Sequence, residues 1–376
     1  MSQQYRPQPA NGLRRWPRPL GLLACLLLGG CSTLDYYSQM SRGHLQLMQQ
    51  REPIEQVLAD PSSSAELRQR LGLALQARRF ASSQLGLPDN QSYRLYADIQ
   101  RPVLMWNAYA TPEFSLKPQL QCFPIAGCVA YRGYFDLNRA RGAAALQQLA
   151  GMDSWVGGVE AYSTLGWFDD PLLSSMLQRD DQQLAGVVFH ELAHQQLYVS
   201  DDTAFNESYA SFVEQQGLQQ WLATRGEPPT DPSQRCRRQQ FTALVLDTRT
   251  RLEAVYASDL PPAAMRQAKQ AEFERMRNAY RQLRESRGQV DDRYERWMAG
   301  PLNNAKLLPF GLYDQWVPAF AQLFEQAGQH WPAFYAHVEL LAQQPLSQRQ
   351  QTLKELLALG LARGAAELGC DLGHDY

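Results

Sequence analysis

The chain has 376 residues, 44% of them hydrophobic and 20% charged, with a formal net charge of −2. This composition supports one large folded body or two ordinary ones and excludes a globally disordered chain. A mildly acidic balance also argues against a nucleic-acid binder, which needs a basic surface.

Residues 1–30 carry Arg6, Arg14, Arg15 and Arg18, no acid, and then the apolar run "LGLLACLLLGG" ending at Cys31. A positive stretch followed by a short apolar one is the pattern of an export signal. The run falls short of the roughly 20 apolar residues that a membrane span needs. Leu28, Gly29, Gly30 and Cys31 resemble a bacterial lipobox, which implies lipid attachment at Cys31. The alternative is a plain secretory signal with a chance cysteine. With Ser32 rather than Asp next, the resemblance to Gram-negative sorting implies the outer membrane, facing the periplasm. Loss of residues 1–30 would take the net charge from −2 to −6, so a lipid rather than a basic surface would hold the protein to a membrane.

Residues 32–60 read as a tether followed by a helix. Ser63 and Glu66 form a capping box for a helix that ends before Pro88. Between 92 and 165, short aromatic and β-branched segments such as "VLMWNAYA", "CVAYRGYF" and "WVGGVEAYST" read as strands and loops. Beyond about residue 172 the pattern is helical, including an amphipathic helix with a charged, solvated face over 262–287. The expected fold class is α+β, mostly helical with a small mixed sheet ahead of two helices at about 182–222, and a helical part over about 235–376. Four cysteines follow the export segment. In an oxidising compartment an even set suggests two disulfides, with Cys122–Cys128 preferred across "CFPIAGC" and Cys236–Cys370 left by elimination. A zinc site at Cys122 and Cys128 would match no common ligand spacing.

The chemistry concentrates in "VVFHELAHQQ", residues 187–196. His190 and His194 stand at i and i+4, which on a helix puts both rings on one face. Glu191 lies between them. In the pattern H-E-x-x-H two imidazoles bind Zn²⁺, and the glutamate takes a proton from the water that zinc activates. The bland alternative is a helix with two incidental histidines, but the apolar flanks "LAGVVF" and "LA" bury this helix, and buried imidazoles need partners.

A third ligand must lie downstream. A metzincin would place Gly at Leu197 and His at Ser200, so that class is excluded. Asp201, Asp202, Glu207 and Glu214 remain. "VSDDT" reads as a turn before a new helix, and Glu207 in that helix's first turn points back at the first one. Asp201 and Asp202 read as capping and solvated residues. Glu214 lies two turns on from Glu207, placed to orient a ligand histidine.

"HELAHQ" followed by "FNESYA" resembles the gluzincin metallopeptidases, whose second helix supplies a zinc glutamate from an N-E-x-x-A-like motif. Twelve residues separate His194 from Glu207, a shorter link than in the large aminopeptidases of that class. Together with "CFPIAGCVAYRGYF", "AYSTLGWFDDPLL", "LNNAKL" and "YDQWVPAF", these words resemble a bacterial lipoprotein family of zinc aminopeptidases. The resemblance implies a membrane-anchored zinc peptidase with a zincin-like fold. His190, His194 and Glu207 would hold the metal, with Glu191 as general base. It also implies a peptide substrate and an edge strand, near 156–164, that pairs with the substrate backbone. Glu160 in "GGVEA" weakly resembles the glutamate that holds a substrate's free amine; the alternative is a solvated strand residue. Tyr131, Arg132, Tyr162 and Tyr313 are open candidates for oxyanion stabilisation. An endopeptidase, or a non-catalytic envelope lipoprotein on the same body, remains an alternative at this stage.

Overall fold

In a computed structural model of the chain, the described residues are 19–123, 127–160, 164, 166–285, 292–310 and 315–367. The chain divides into two units, residues 1–46 and 47–376. In the first, helix α1 (Pro19–Gln49) begins and runs past the unit's end. It takes in Cys31 and the span expected to be a tether, so residues 32–49 are helical. Residues 1–18, the charged start of the expected export signal, lie outside the described residues. Among the described residues no helix is long and apolar enough to cross a membrane.

The second unit opens with β1 (Glu52–Pro53), α2 (Ile54–Ala59) and α3 (Ala65–Ser83). The cap of α3 is Ser64, whose side chain accepts from the Leu67 N–H, one residue on from the expected Ser63. Then come β2 (Leu95–Ala97), β3 (Met105–Pro112), β4 (Gln121–Phe123), β5 (Gly127–Val129) and β6 (Tyr131–Tyr134). Helix α4 (Leu137–Leu149) interrupts what the sequence presents as strands and loops. Asp136 caps it, and its alanine-rich run favours helix without marking an apolar stripe. Strands β7 (Met152–Val159) and β8 (Leu172–Leu173) follow.

The strands form not one sheet but three small ones, ordered β1-β2-β8, β6-β3-β7 and β4-β5. The first is mixed, with β2 parallel to β8, and the second is antiparallel throughout. Strand β7 stands at an edge of its sheet. Beyond β8 the elements among the described residues are helices: α5 (Asp181–Gln196), α6 (Thr203–Thr224), α7 (Pro232–Tyr256), α8 (Pro262–Glu285), α9 (Asp292–Ala299), α10 (Asn304–Leu307), α11 (Val317–Gln326), α12 (Trp331–Ala342) and α13 (Leu346–Glu367).

Helix α5 is apolar almost all round. Residues 184–189 and 191–194 are buried, which makes it a central helix rather than a surface one. It packs on α3 and α6, with Phe189 touching Phe80 and Trp221. On its far side α6 meets α11 and α12 through an aromatic layer in which Tyr209 and Phe212 face Phe320, Phe324 and Phe334. Each fully buried ring of this kind contributes about 1.5–3 kcal/mol. Helix α8 is amphipathic as its sequence requires, burying Met265, Phe273, Met276 and Ala279. The last three belong to one core cluster with Phe241, Leu244 and Val245 of α7. Its buried Lys269 donates to Asp153 of β7 (2.6 Å) and to the Glu113 carbonyl (2.8 Å), tying the scaffold to the antiparallel sheet. The segment "LNNAKL" has the same role. Asn304 donates to the Glu113 and Ser115 carbonyls, and Asn303 donates to that of Ser154. The disulfide Cys122–Cys128 closes the β4–β5 hairpin. Cys236 is disulfide-bonded; Cys370 lies outside the described residues.

Candidate metal centre

Helix α5 starts where the Asp180 side chain accepts from the Gln183 N–H (2.7 Å). It stops at Leu197, whose backbone is extended. Helix α6 starts at Asp202, whose side chain accepts from the Phe205 N–H (3.1 Å). The two helices pack closely, and the face of α5 that carries both histidines meets the first turns of α6.

His190 Nε2 and His194 Nε2 lie 3.2 Å apart. Glu207 Oε2 lies 3.4 Å from the first and 3.7 Å from the second. A tetrahedral zinc site with bonds of about 2.0–2.1 Å sets its ligand atoms about 3.3 Å apart. The three edges found here match that spacing, so the group fits a zinc ion. The donor set, two imidazole nitrogens and a carboxylate, also suits the metal and leaves a fourth position open. Asp201 and Asp202 are not part of it. Asp201 accepts from the Cys128 N–H, and Asp202 caps α6 while pairing with buried Arg349 (2.9 Å). Capping holds for Asp202 as the sequence suggests, but solvation does not, because its partner Arg349 arrives from α13.

Glu214 lies behind the group. Its Oε2 is 3.0 Å from His190 Nδ1. An Nδ1–H donated to this carboxylate leaves the Nε2 lone pair facing His194 and Glu207, the tautomer that a metal ligand needs. Room for Glu214 comes from Gly186 on α5. A Cβ there would stand 3.1 Å from Glu214 Oε1 and 3.2 Å from its Cγ.

The electrostatics are those of charges drawn together out of water. Burial disfavours the charged His190, but hydrogen bonds to Glu207 and Glu214 outweigh it and raise its pKa to about 10. Burial likewise opposes ionisation of Glu207, yet the charge of His194 and hydrogen bonds to both histidines hold it at about 2. Glu191 is 9% exposed, and burial pushes its carboxyl above the usual range against the pull of His190 and His194. A carboxylate raised towards neutrality is suited to take up a proton.

Tyr109, Tyr131 and Tyr198 border the group. Burial raises all three phenols, and the charge of Glu207 raises them further. Glu191 also acts on Tyr131, which places this oxyanion candidate beside the centre. Tyr162 and Tyr313 lie outside the described residues. Glu160 follows edge strand β7 and accepts from Arg179 Nε (2.8 Å). The charge of Arg179 acts on both Glu191 and Glu214. Nothing in the sequence singled out Arg179. Asp170 was missed too: buried, it accepts from Gln195 Nε2 (3.2 Å) beside His194, and burial raises it to about 6. Its only signal is the second aspartate of "FDDPLL", which carries no spacing to read.

A family model described as "Putative aminopeptidase" matches residues 35–353. No curated protein and no solved structure matches the chain.

Proposed function

We propose that this chain, which belongs to the putative aminopeptidase family, is a zinc-dependent peptidase with a zincin-like α+β body of the gluzincin type. The family description points to peptide hydrolysis. The observation that carries the metal reading is the convergence of His190, His194 and Glu207, with ligand atoms all within 4.8 Å of one another. Glu191 on the same helix and Glu214 behind His190 support it.

Bound there, zinc would supply a Lewis acid for the scissile carbonyl and acidify water. Glu191 would take the proton of the attacking water and return it to the leaving amine. Glu214 would keep His190 in its binding tautomer. Edge strand β7 is placed to pair with an extended peptide. Lipid attachment at Cys31, which would fix the protein to the periplasmic face of an outer membrane, is supported by the sequence pattern at 28–31. The mass of the mature N-terminus tests it: an unacylated terminus in cell-derived protein would remove the anchor.

One observation favours an endopeptidase over an aminopeptidase. Glu160, the residue suited to a free amine, already pairs with Arg179, which offsets its charge. Turnover of matched peptides with free and blocked N-termini, by the wild type and by Glu191→Gln, tests both points. Activity on free termini alone marks an aminopeptidase. Glu191→Gln should fall by about 10²-fold or more with zinc retained. Turnover by this variant at the parent rate would end the general-base assignment.

A further inference from the structure

The three candidate ligands come from two helices, so their geometry depends on the link between them, residues 197–202. That link is fixed from three sides. Asn206, next to Glu207, uses its amide in both directions: Oδ1 accepts from the Val199 N–H (2.8 Å) and Nδ2 donates to the Val199 carbonyl (2.7 Å). Asp202 caps α6 and is held by Arg349, whose guanidinium also lies over the Phe205 ring.

The third restraint comes from far away in sequence. Asp201 sits in the left-handed region (φ 65°) and accepts from the Cys128 backbone N–H at 2.6 Å, across 73 residues. The neighbouring Gly127 also has positive φ (69°), and a Cβ there would lie 2.4 Å from Ser200 Oγ and 2.6 Å from Asp201 Oδ1. The hairpin backbone thus rests directly on the link, and only glycine allows that approach. Cys122 and Cys128 face each other in the hairpin register and are bonded. Two strands of three residues have no independent stability in water. The covalent bond closes them, leaving Cys128 fixed as a donor.

We infer that the Cys122–Cys128 hairpin is a positioning element of the metal centre, with Asp201 as the residue through which it acts. By holding the α5–α6 link it sets Glu207 against His190 and His194. The metal ligands are thereby coupled to a disulfide, so the site is complete only where that bond forms. This rests on the zinc reading, and its test separates the two.

The variants are Asp201→Gly, which keeps the left-handed backbone and loses the acceptor, Asp201→Asn, which keeps both, and the double variant Cys122→Ser/Cys128→Ser. Zinc affinity is measured by chelator competition. Hydrogen exchange over 197–206 is measured on the metal-free proteins, with melting and circular dichroism to report global folding. Asp201→Gly and the double variant should bind zinc roughly 10- to 100-fold more weakly, as for other groups that orient ligands. They should exchange faster at Val199 with the fold intact, and Asp201→Asn should match the wild type. If the double variant does not fold, Asp201→Gly carries the test. Affinity in Asp201→Gly within about twofold of the wild type overturns the inference. If the wild type binds no zinc, the metal reading fails separately and exchange decides alone: faster exchange supports the hairpin's role, and unchanged exchange overturns it.

Discussion

Replacing Glu214 by alanine tests whether the group behind His190 sets its metal-binding form. Glu214 Oε2 lies 3.0 Å from His190 Nδ1, and its side chain is 27% exposed, so solvent screens the contact only in part. A hydrogen bond to a charged group contributes about 1.5–3 kcal/mol, which corresponds to about 10- to 150-fold in zinc affinity if the whole contribution reaches the metal. Glu214→Gln keeps an acceptor and loses the charge, so its loss should be several-fold smaller. Gly186→Ala should act in the same direction without touching a titratable group, because its Cβ would stand 3.1 Å from Glu214 Oε1 and displace the carboxylate. Competition with a chromophoric chelator at constant pH measures all three. Zinc affinity in Glu214→Ala within twofold of the wild type would refute the orienting role, whatever the geometry of the three candidate ligands.

His190, raised to about 10 by its carboxylate partners, carries a proton at neutral pH in the metal-free protein, and zinc must displace it. Zinc binding at pH 7 should therefore release about one proton in a pH-stat titration, and zinc affinity should rise as pH climbs towards 10; no proton release would contradict the pairing. The same shift gives a stability window. A histidine raised from 6.5 stabilises the metal-free fold fully below that pH and loses its contribution as pH rises through about 10, so the metal-free melting temperature should fall over that range. Arg349→Ala strips the partner from Asp202, where both side chains are under a tenth exposed (6% and 7%), and should cost about 3–5 kcal/mol in urea unfolding; a loss under about 1 kcal/mol would show the pair to be dispensable.

The histidine pair was legible because i, i+4 spacing on one helix face is a local property. The geometry of Glu207 was legible for a related reason. Leu197 and Ser200 removed the close alternative, and a helix restarting at Thr203 turns Glu207 back towards α5. Helix α4 was not legible, since only Ala140 and Ala144 are buried and two small residues leave no apolar period. The sheets were misjudged as one because pairing is long-range. Tyr96 meets Leu172, and Trp106 meets both Tyr134 and Gly158, none of which a segment announces by itself. Asp202 shows the same limit from the other side. Its cap is local and was read correctly, whereas its pairing with Arg349, 147 residues away, could come only from the fold. Arg179 and Asp170 reach the centre in this way too, through tertiary contacts that single residues do not advertise.

The central claim is that His190, His194 and Glu207 together hold one zinc ion. Metal-free wild-type protein and Glu207→Ala, each checked for folding, should be titrated with zinc against a competing chelator and the bound metal counted per chain. The account predicts one tightly bound zinc in the wild type and its loss in Glu207→Ala. A wild type that binds no zinc, or a Glu207→Ala variant that keeps the full complement at unchanged affinity, would contradict it.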